Sequence, residues 1–391
     1  MKVLIVTPYY IPYVSGMTVY ERRLAEGLVN AGHSVSVLTS KHEKGLRGRE
    51  KINGVEIIRK PVLFKMQRGS FAPGILLALL RVSKDYDVVN IHAPFFEAGF
   101  LSGMAKAARK KVFLTYHCDL SMRNGLFSKT IESVYYLSVK AAAKDSAKII
   151  VNSMDYLENS RLRAYKGKGI GVFPPIDTQE FKENPERDEF KRRFSIGRDD
   201  KVVGFVGRLT YEKGLTYLIE AVPKIREKIP NLKVFIAGES PNVAGGAKES
   251  VKKDIESLIE KNHLEEIVLF TGYLSDEYLV KFYSSCDVFA LPSIDPLESF
   301  GMVQVEAMLC GCPVVASDMP GMRDPVNLTG FGALATPRDV GSLADAVVRV
   351  LENGGRFYVG RDKVTDFFGT DKTVKRYEEV FKHDFIPEKT K

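Results

Sequence analysis

Short runs of branched and aromatic residues alternate along the whole chain with longer stretches whose apolar positions recur every three or four residues. The runs VLIV, VSVLT, DVVNI and KVFLTY show little polar alternation, the mark of strands covered on both faces of a parallel sheet. The first unit predicts a strand over Val3–Thr7, then a loop holding Pro8, Pro12 and Gly16. A helix follows on Met17, Tyr20, Leu24, Leu28 and Ala31, stopped at Gly32, and then a strand over Ser34–Thr39. The same grammar restarts at residue 201: strand Lys201–Val206, loop Gly207–Gly214, helix Leu215–Ile229, strand Leu232–Ala237 closed by Gly238.

Two restarts in 391 residues predict an α/β chain of two doubly wound, Rossmann-like domains. The join falls between Phe173 and Arg193, where Pro174 and Pro175 precede a charged segment. Near the end, Val374, Tyr377, Phe381 and Phe385 lie on one face of an amphipathic helix. The expected division is 1–178 and 179–371, with a helix over about 372–391 packing back on the first domain.

A hydrophobic content of 45% and a charged content of 27% fit a globular chain and exclude wholesale disorder. The longest purely apolar stretch, Ile75–Leu80, falls far short of the roughly 20 residues a spanning helix needs. The chain opens on a strand without a basic-then-apolar leader, so a cytoplasmic enzyme is expected. Scarce Gln, absent Trp and plentiful Lys and Glu lean towards a thermophile. Cys118, Cys286, Cys310 and Cys312 form no metal-type pair and are expected to be structural. Net charge is +8, with 27 Lys and Arg against 15 Asp and Glu in residues 1–180. A basic first half suggests an anionic partner. Nucleic acid is the alternative, yet the basic residues lack interleaved aromatics and no RNA or DNA module is legible.

Neither opening strand is followed by Gly-x-Gly-x-x-Gly, and Gly167, Gly169 and Gly171 have the wrong spacing. There is no Walker lysine loop, no Gly-x-Ser-x-Gly elbow and no metal-type His/Asp cluster. No cofactor and no metal are therefore expected. The segment Glu298–Ser317 places Glu298 in a loop, lets Phe300 and Gly301 lead into a helix ending near Leu309, and sets Glu306 inside it. Free amides at a helix start favour a diphosphate, and an acid among apolar neighbours needs a partner. In GRLTYEKG, Arg208 and Lys213 follow directly on a strand, at the sheet edge where open α/β folds bind ligands. His117 ends another strand, Lys111–Tyr116. His92 is either a cleft-lining or a structural residue, and His33, His42, His263 and His383 read as surface or turn positions.

In combination, Gly16, His117 in TYHCD, Pro174–Asp177, GRLTYEKG and two glutamates with seven residues between them resemble the retaining glycosyltransferases of family four, which have the GT-B fold. The resemblance covers nearly the whole chain. It implies a nucleotide-diphosphate sugar donor (a GDP- or UDP-sugar) whose diphosphate is held by Arg208 and Lys213 and whose ribose meets Glu306. Glu298, with the backbone near Phe300, Gly301, Met302 and Val303, would contact the donor sugar and phosphates. Gly16 would let the first loop approach the diphosphate, and His117 would stand beside the transferred sugar. It also implies retention of the anomeric configuration and transfer without a metal. An epimerase of the same fold is the alternative. For the acceptor, basic residues within Lys41–Arg68 and at Arg109–Lys111, beside the apolar stretch Phe71–Leu80, suggest a membrane lipid or lipid-linked saccharide and peripheral docking on the inner face of a membrane. A solvated basic face beside a core helix is the other reading.

Overall fold

The computed structural model describes residues 1–66, 69–120, 126–184, 187–194, 196–238 and 248–383. The chain divides into two compact units: Met1–Ile176 together with the chain from Phe368 onward, and Asp177–Phe367.

The first unit is built on β1 (Lys2–Val6), β2 (Ser34–Lys41), β3 (Arg49–Ile52), β4 (Val55–Pro61), a separate hairpin of β5 (Phe64–Met66) and β6 (Gly69–Phe71), β7 (Val88–Ala93), β8 (Lys111–Tyr116), β9 (Lys148–Val151) and β10 (Gly169–Gly171). The sheet order is β10-β9-β8-β7-β1-β2-β4-β3. Every pairing is parallel except that of β3 with β4. Because β1 lies between β2 and β7, the winding reverses there, and the carboxyl ends of β1 and β7 flank the switch. The helix Gly16–Asn30 starts at a capping box in which Ser15 and Thr18 exchange hydrogen bonds. It buries Tyr20, Leu24, Ala25 and Leu28, and with them the polar Thr18, Glu21 and Arg23.

The tail forms a helix over Thr370–His383, and the expected Phe385 lies outside the described residues. Val374, Tyr377, Val380 and Phe381 are buried. The Tyr377 hydroxyl lies 2.8 Å from that of Tyr20 and 3.0 Å from Thr115 Oγ1. A Cβ on Gly27 would come within 2.7 Å of Val374 Cγ2, so the two helices pack backbone-close at that glycine.

The second unit holds β11 (Lys201–Val206), β12 (Leu232–Ala237), β13 (Val268–Gly272), β14 (Val288–Leu291), β15 (Val314–Ser317) and β16 (Gly332–Ala335). They form one parallel sheet in the order β13-β12-β11-β14-β15-β16. Here the reversal falls between β11 and β14. Phe205, Phe235, Phe282 and Phe289 are fully buried around it. The helix expected to reach Ile229 ends its regular span at Arg226 and contains Pro223. His42, expected at the surface, is 6% exposed and edges onto the rings of Tyr9 and Tyr13. Cys286, Cys310 and Cys312 are buried, and Cys118 is half-buried. Among the described residues no helix is long and apolar enough to cross a membrane.

Candidate functional site

In the second unit the loops 207–214 and 292–301 leave the carboxyl ends of β11 and β14, the two strands that flank the switch. Glycine lets them touch. Gly214 has φ +66, and a Cβ there would sit 1.9 Å from Pro292 O, so no other residue fits without moving the second loop. Ile294 N donates to Glu212 O at 3.0 Å across the same join. This contact brings together two charges that lie far apart in sequence: Lys213 Nζ donates to Glu298 Oε2 as a hydrogen-bonded ion pair. The Lys213 and Glu298 side chains are only 17% and 20% exposed, and such shielding strengthens a charge pair. Arg208, half exposed, has Nη2 3.9 Å from Glu212 Oε1.

At the far end of loop 292–301, Gly301 has φ +73 and caps the helix Met302–Leu309, whose start carries no side-chain cap. The helix start thus offers first-turn amides to an anion. Phe300 is 1% exposed, so its ring belongs to the core and only its backbone can serve a ligand. Met302 and Val303 are half-buried. Gln304, which the sequence did not single out, donates Nε2 to the carbonyls of Phe300 at 2.5 Å and Met322 at 3.0 Å, fixing the backbone ahead of the helix. Glu306 is buried and accepts from the Tyr283 hydroxyl at 3.5 Å. Thr210 Oγ1 and Ser293 Oγ, one in each loop, are buried without a partner among the described residues. Unpaired buried hydroxyls point to a group still to be bonded.

In the first unit, His117 follows β8 and Gly16 is the first residue of its helix, in ordinary helical backbone. His117 touches a set that spacing did not reveal. Its Nε2 lies 3.0 Å from His92 Nδ1, and Glu21 Oε1 lies 3.3 Å from that same Nδ1. Donor atoms of Glu21, His92 and His117 all fall within 4.8 Å of one another, ligand types suited to a divalent ion. They are engaged with protein groups: Thr7 Oγ1 donates to Glu21 Oε1 at 2.5 Å, and His92 and His117 bond each other. Burial pushes the Glu21 carboxyl well above its ordinary range against the Thr7 hydrogen bond. Burial lowers His92 to about 3. Burial, then the neighbouring His92, holds His117 well below the usual imidazole value. Both histidines are therefore neutral near pH 7, and Glu21 keeps its proton to a higher pH than an ordinary carboxyl.

The model of the glycosyl transferases group 1 matches residues 186–361, and that of glycosyltransferase family 4 matches residues 14–177. An uncharacterised glycosyltransferase of Methanocaldococcus jannaschii is 31% identical over 98% of both chains. The phosphatidyl-myo-inositol mannosyltransferase of Mycolicibacterium smegmatis is 26% identical over 90% of this chain and 85% of its own. Among solved structures, Anabaena HepE in complex with UDP and glucose superposes with a TM-score of 0.75 at 21% identity, covering 98% of this chain and 100% of that one.

Proposed function

This chain belongs to the glycosyl transferases group 1, enzymes of the GT-B fold with two Rossmann-like units, and on that premise we propose that it moves a hexose-type sugar from a GDP- or UDP-sugar to an acceptor with retention of configuration. Family membership sets aside the epimerase and nucleic-acid readings. The observation that carries the proposal is the join of the β11 and β14 loops, where Lys213, Glu298 and an uncapped helix start share one sheet edge.

At that edge Arg208, Lys213 and the amides of Met302 and Val303 take the donor diphosphate, whose charge grows as the sugar leaves. Glu306 takes the ribose hydroxyls, and Glu298 the sugar, where its carboxylate also supports positive charge developing at C1. The bond from C1 to the phosphate oxygen breaks as the bond to the acceptor oxygen forms on the same face. The acceptor proton passes to the departing phosphate oxygen. Gly16 and His117 are the first unit's contributions to the reaction. With cations and helix amides at the diphosphate, transfer runs without a metal and survives EDTA. HepE, a structural neighbour, binds UDP and glucose, which supports a nucleotide-sugar donor. The test is a panel of GDP- and UDP-sugars with product NMR: an α-linked product from an α-donor is expected, and a β-linked product overturns retention.

A lipid or lipid-linked saccharide is the acceptor this reading favours. The mannosyltransferase relative is named for phosphatidyl-myo-inositol. On the helix Gly74–Val82, Ile75, Ala78 and Leu79 are buried, while Leu77 and Leu80 stand 61% and 44% exposed, as do Leu63 and Phe64 at 69% and 50%. Lys44, Arg47 and Lys51 are exposed, whereas Arg59 is buried and bonded to Glu50. That corrects the basic cluster by one inward-facing member; Arg68 lies outside the described residues. Binding to anionic vesicles at low salt, released as salt rises, is expected. Equal partitioning onto neutral vesicles counts against it.

A further inference from the structure

The His117 ring is the end of a hydrogen-bonded wire that lies wholly inside the first unit. Asn90 and His92 share one face of β7, two residues apart, and Thr115 stands opposite His92 on β8. The Tyr20 and Tyr377 hydroxyls meet at 2.8 Å, and Tyr377 meets Thr115 Oγ1 at 3.0 Å. Thr115 Oγ1 donates to Asn90 Oδ1 at 3.0 Å. The other end of that amide, Asn90 Nδ2, faces His92 Nε2 at 2.9 Å, and His92 Nδ1 faces His117 Nε2 at 3.0 Å.

With Asn90 Oδ1 on Thr115 and Nδ2 on His92, the amide sets the direction of each link. An amide nitrogen only donates, so His92 Nε2 accepts and the proton of neutral His92 sits on Nδ1. Its nearest partner is His117 Nε2; Glu21 Oε1 is farther, at 3.3 Å. His117 Nε2 therefore accepts, and the proton of His117 sits on Nδ1. Among the described residues no hydrogen-bond partner reaches that Nδ1. Burial keeps both rings neutral, so the wire carries tautomer rather than charge.

We infer that Asn90 and His92 are positioning residues that hold His117 as its Nδ1–H tautomer, so that the nitrogen left for a sugar hydroxyl is a hydrogen-bond donor. The inference rests on the glycosyltransfer reading for its purpose, but its geometry stands apart from it. A donor nitrogen binds a hydroxyl oxygen and cannot take a proton from it. His117 would thus orient the sugar and would not act as a base.

The change Asn90→Asp reverses the wire with almost no change of shape. A carboxylate at position 90 accepts from His92 Nε2, which moves the His92 proton off Nδ1. His92 Nδ1 then accepts from His117, which becomes the Nε2–H tautomer with a bare Nδ1. The experiment is nitrogen NMR of the full-length enzyme labelled with ¹⁵N in its imidazole rings, with His117→Gln serving to assign the signal. In the unmutated protein His117 should show a protonated-type shift at Nδ1 and an unprotonated-type shift at Nε2. Asn90→Asp should exchange the two. It should also lower kcat by roughly 10²-fold, the scale at which one lost hydrogen-bond donor acts, with donor KM changed by no more than about twofold. An Nε2–H tautomer in the unmutated protein overturns the inference whether or not the variant folds. So does an unchanged tautomer in Asn90→Asp at a pH where the new carboxyl is ionised. A His117 signal that moves on EDTA treatment would instead place a metal at the Glu21–His92–His117 set and also overturns it. The tautomer readouts are independent of transfer, so a failed donor assay with the expected tautomer would reject the function and leave the wire standing.

Discussion

Replacing Lys213 by Ala does two things at once. It removes a cation from the proposed diphosphate site, and it leaves Glu298, 20% exposed, without its ion-pair partner. Among the described residues Arg208 has no comparable tie, being half exposed with its nearest acid 3.9 Å away. Both Arg208→Ala and Lys213→Ala should lower kcat by about 10²–10³-fold, the usual cost of one lost donor to developing negative charge. Only Lys213→Ala should couple to Glu298→Gln: their combined loss should fall well short of the sum, whereas Arg208→Ala and Glu298→Gln should add. Additive losses for the Lys213–Glu298 pair would show that the contact carries no part of the reaction. Glu21 offers a second test at this scale. Its folded pKa lies above the ordinary 4.5 because of burial, so the folded protein holds a proton that the unfolded chain gives up. Its contribution is fully present below pH 4.5 and is lost as the pH rises, by about 1.4 kcal/mol per unit until the folded value is reached. Glu21→Gln, which cannot ionise, should gain stability relative to the parent as the pH rises above 4.5. A difference independent of pH in denaturant melts would refute the neutral acid. His92, lowered to about 3, acts on the other flank: its contribution is complete above 6.5 and fades as pH falls towards 3.

At the scale of elements, the helix Thr370–His383 and the helix Gly16–Asn30 meet where Gly27 faces Val374 and Thr370, whose Cγ2 atoms would lie 2.7 and 2.9 Å from an added Cβ. Gly27→Val should therefore destabilise the first unit by about 1–3 kcal/mol through overpacking, seen as a lower midpoint in thermal melts. An unchanged midpoint would mean that the tail helix yields at no cost. This pairing was only partly legible. Val374, Tyr377 and Phe381 announced an apolar face, and the strands Lys111–Tyr116 and Lys201–Val206 follow from their apolar runs to the residue. By contrast, β3 reads REKI, too short and charged to show a period, and it forms only because β4 offers an edge. The loop GRLTYEKG was legible as a site segment because it follows a strand, and ESFG because it leads into a helix start that also holds an acid among apolar neighbours. Their meeting at Gly214 and the Lys213–Glu298 pair were not, since strand order is set by packing and not by local pattern. Glu21 was hidden for another reason: its helix already showed a full apolar stripe, and nothing in one sequence marks a carboxyl that sits within that stripe.

For the molecule as a whole, the proposed donor site takes most of its donor contacts, the cations at the diphosphate and the acids at the ribose and sugar, from the second unit. A nucleoside diphosphate should therefore slow amide exchange chiefly in the loops after β11 and β14 and at the start of the helix Met302–Leu309. At 100 times its dissociation constant it should stabilise the folded state by about 2.7 kcal/mol. Protection spread evenly through residues 1–176 would count against that placement. The division of the chain has a consequence for its synthesis. The second unit is complete once Phe367 has been made, whereas the first needs the last helix as well as residues 1–176. A nascent chain emerges from the ribosome at about 5–20 residues per second, so the second unit can close on itself while the first still waits for Tyr377. Thr115 and Tyr20 remain short of that hydroxyl until then. By the proposed donor placement, an interrupted or trimmed product would keep the donor-binding unit while lacking the support behind His117: able to sequester donor, unable to use it.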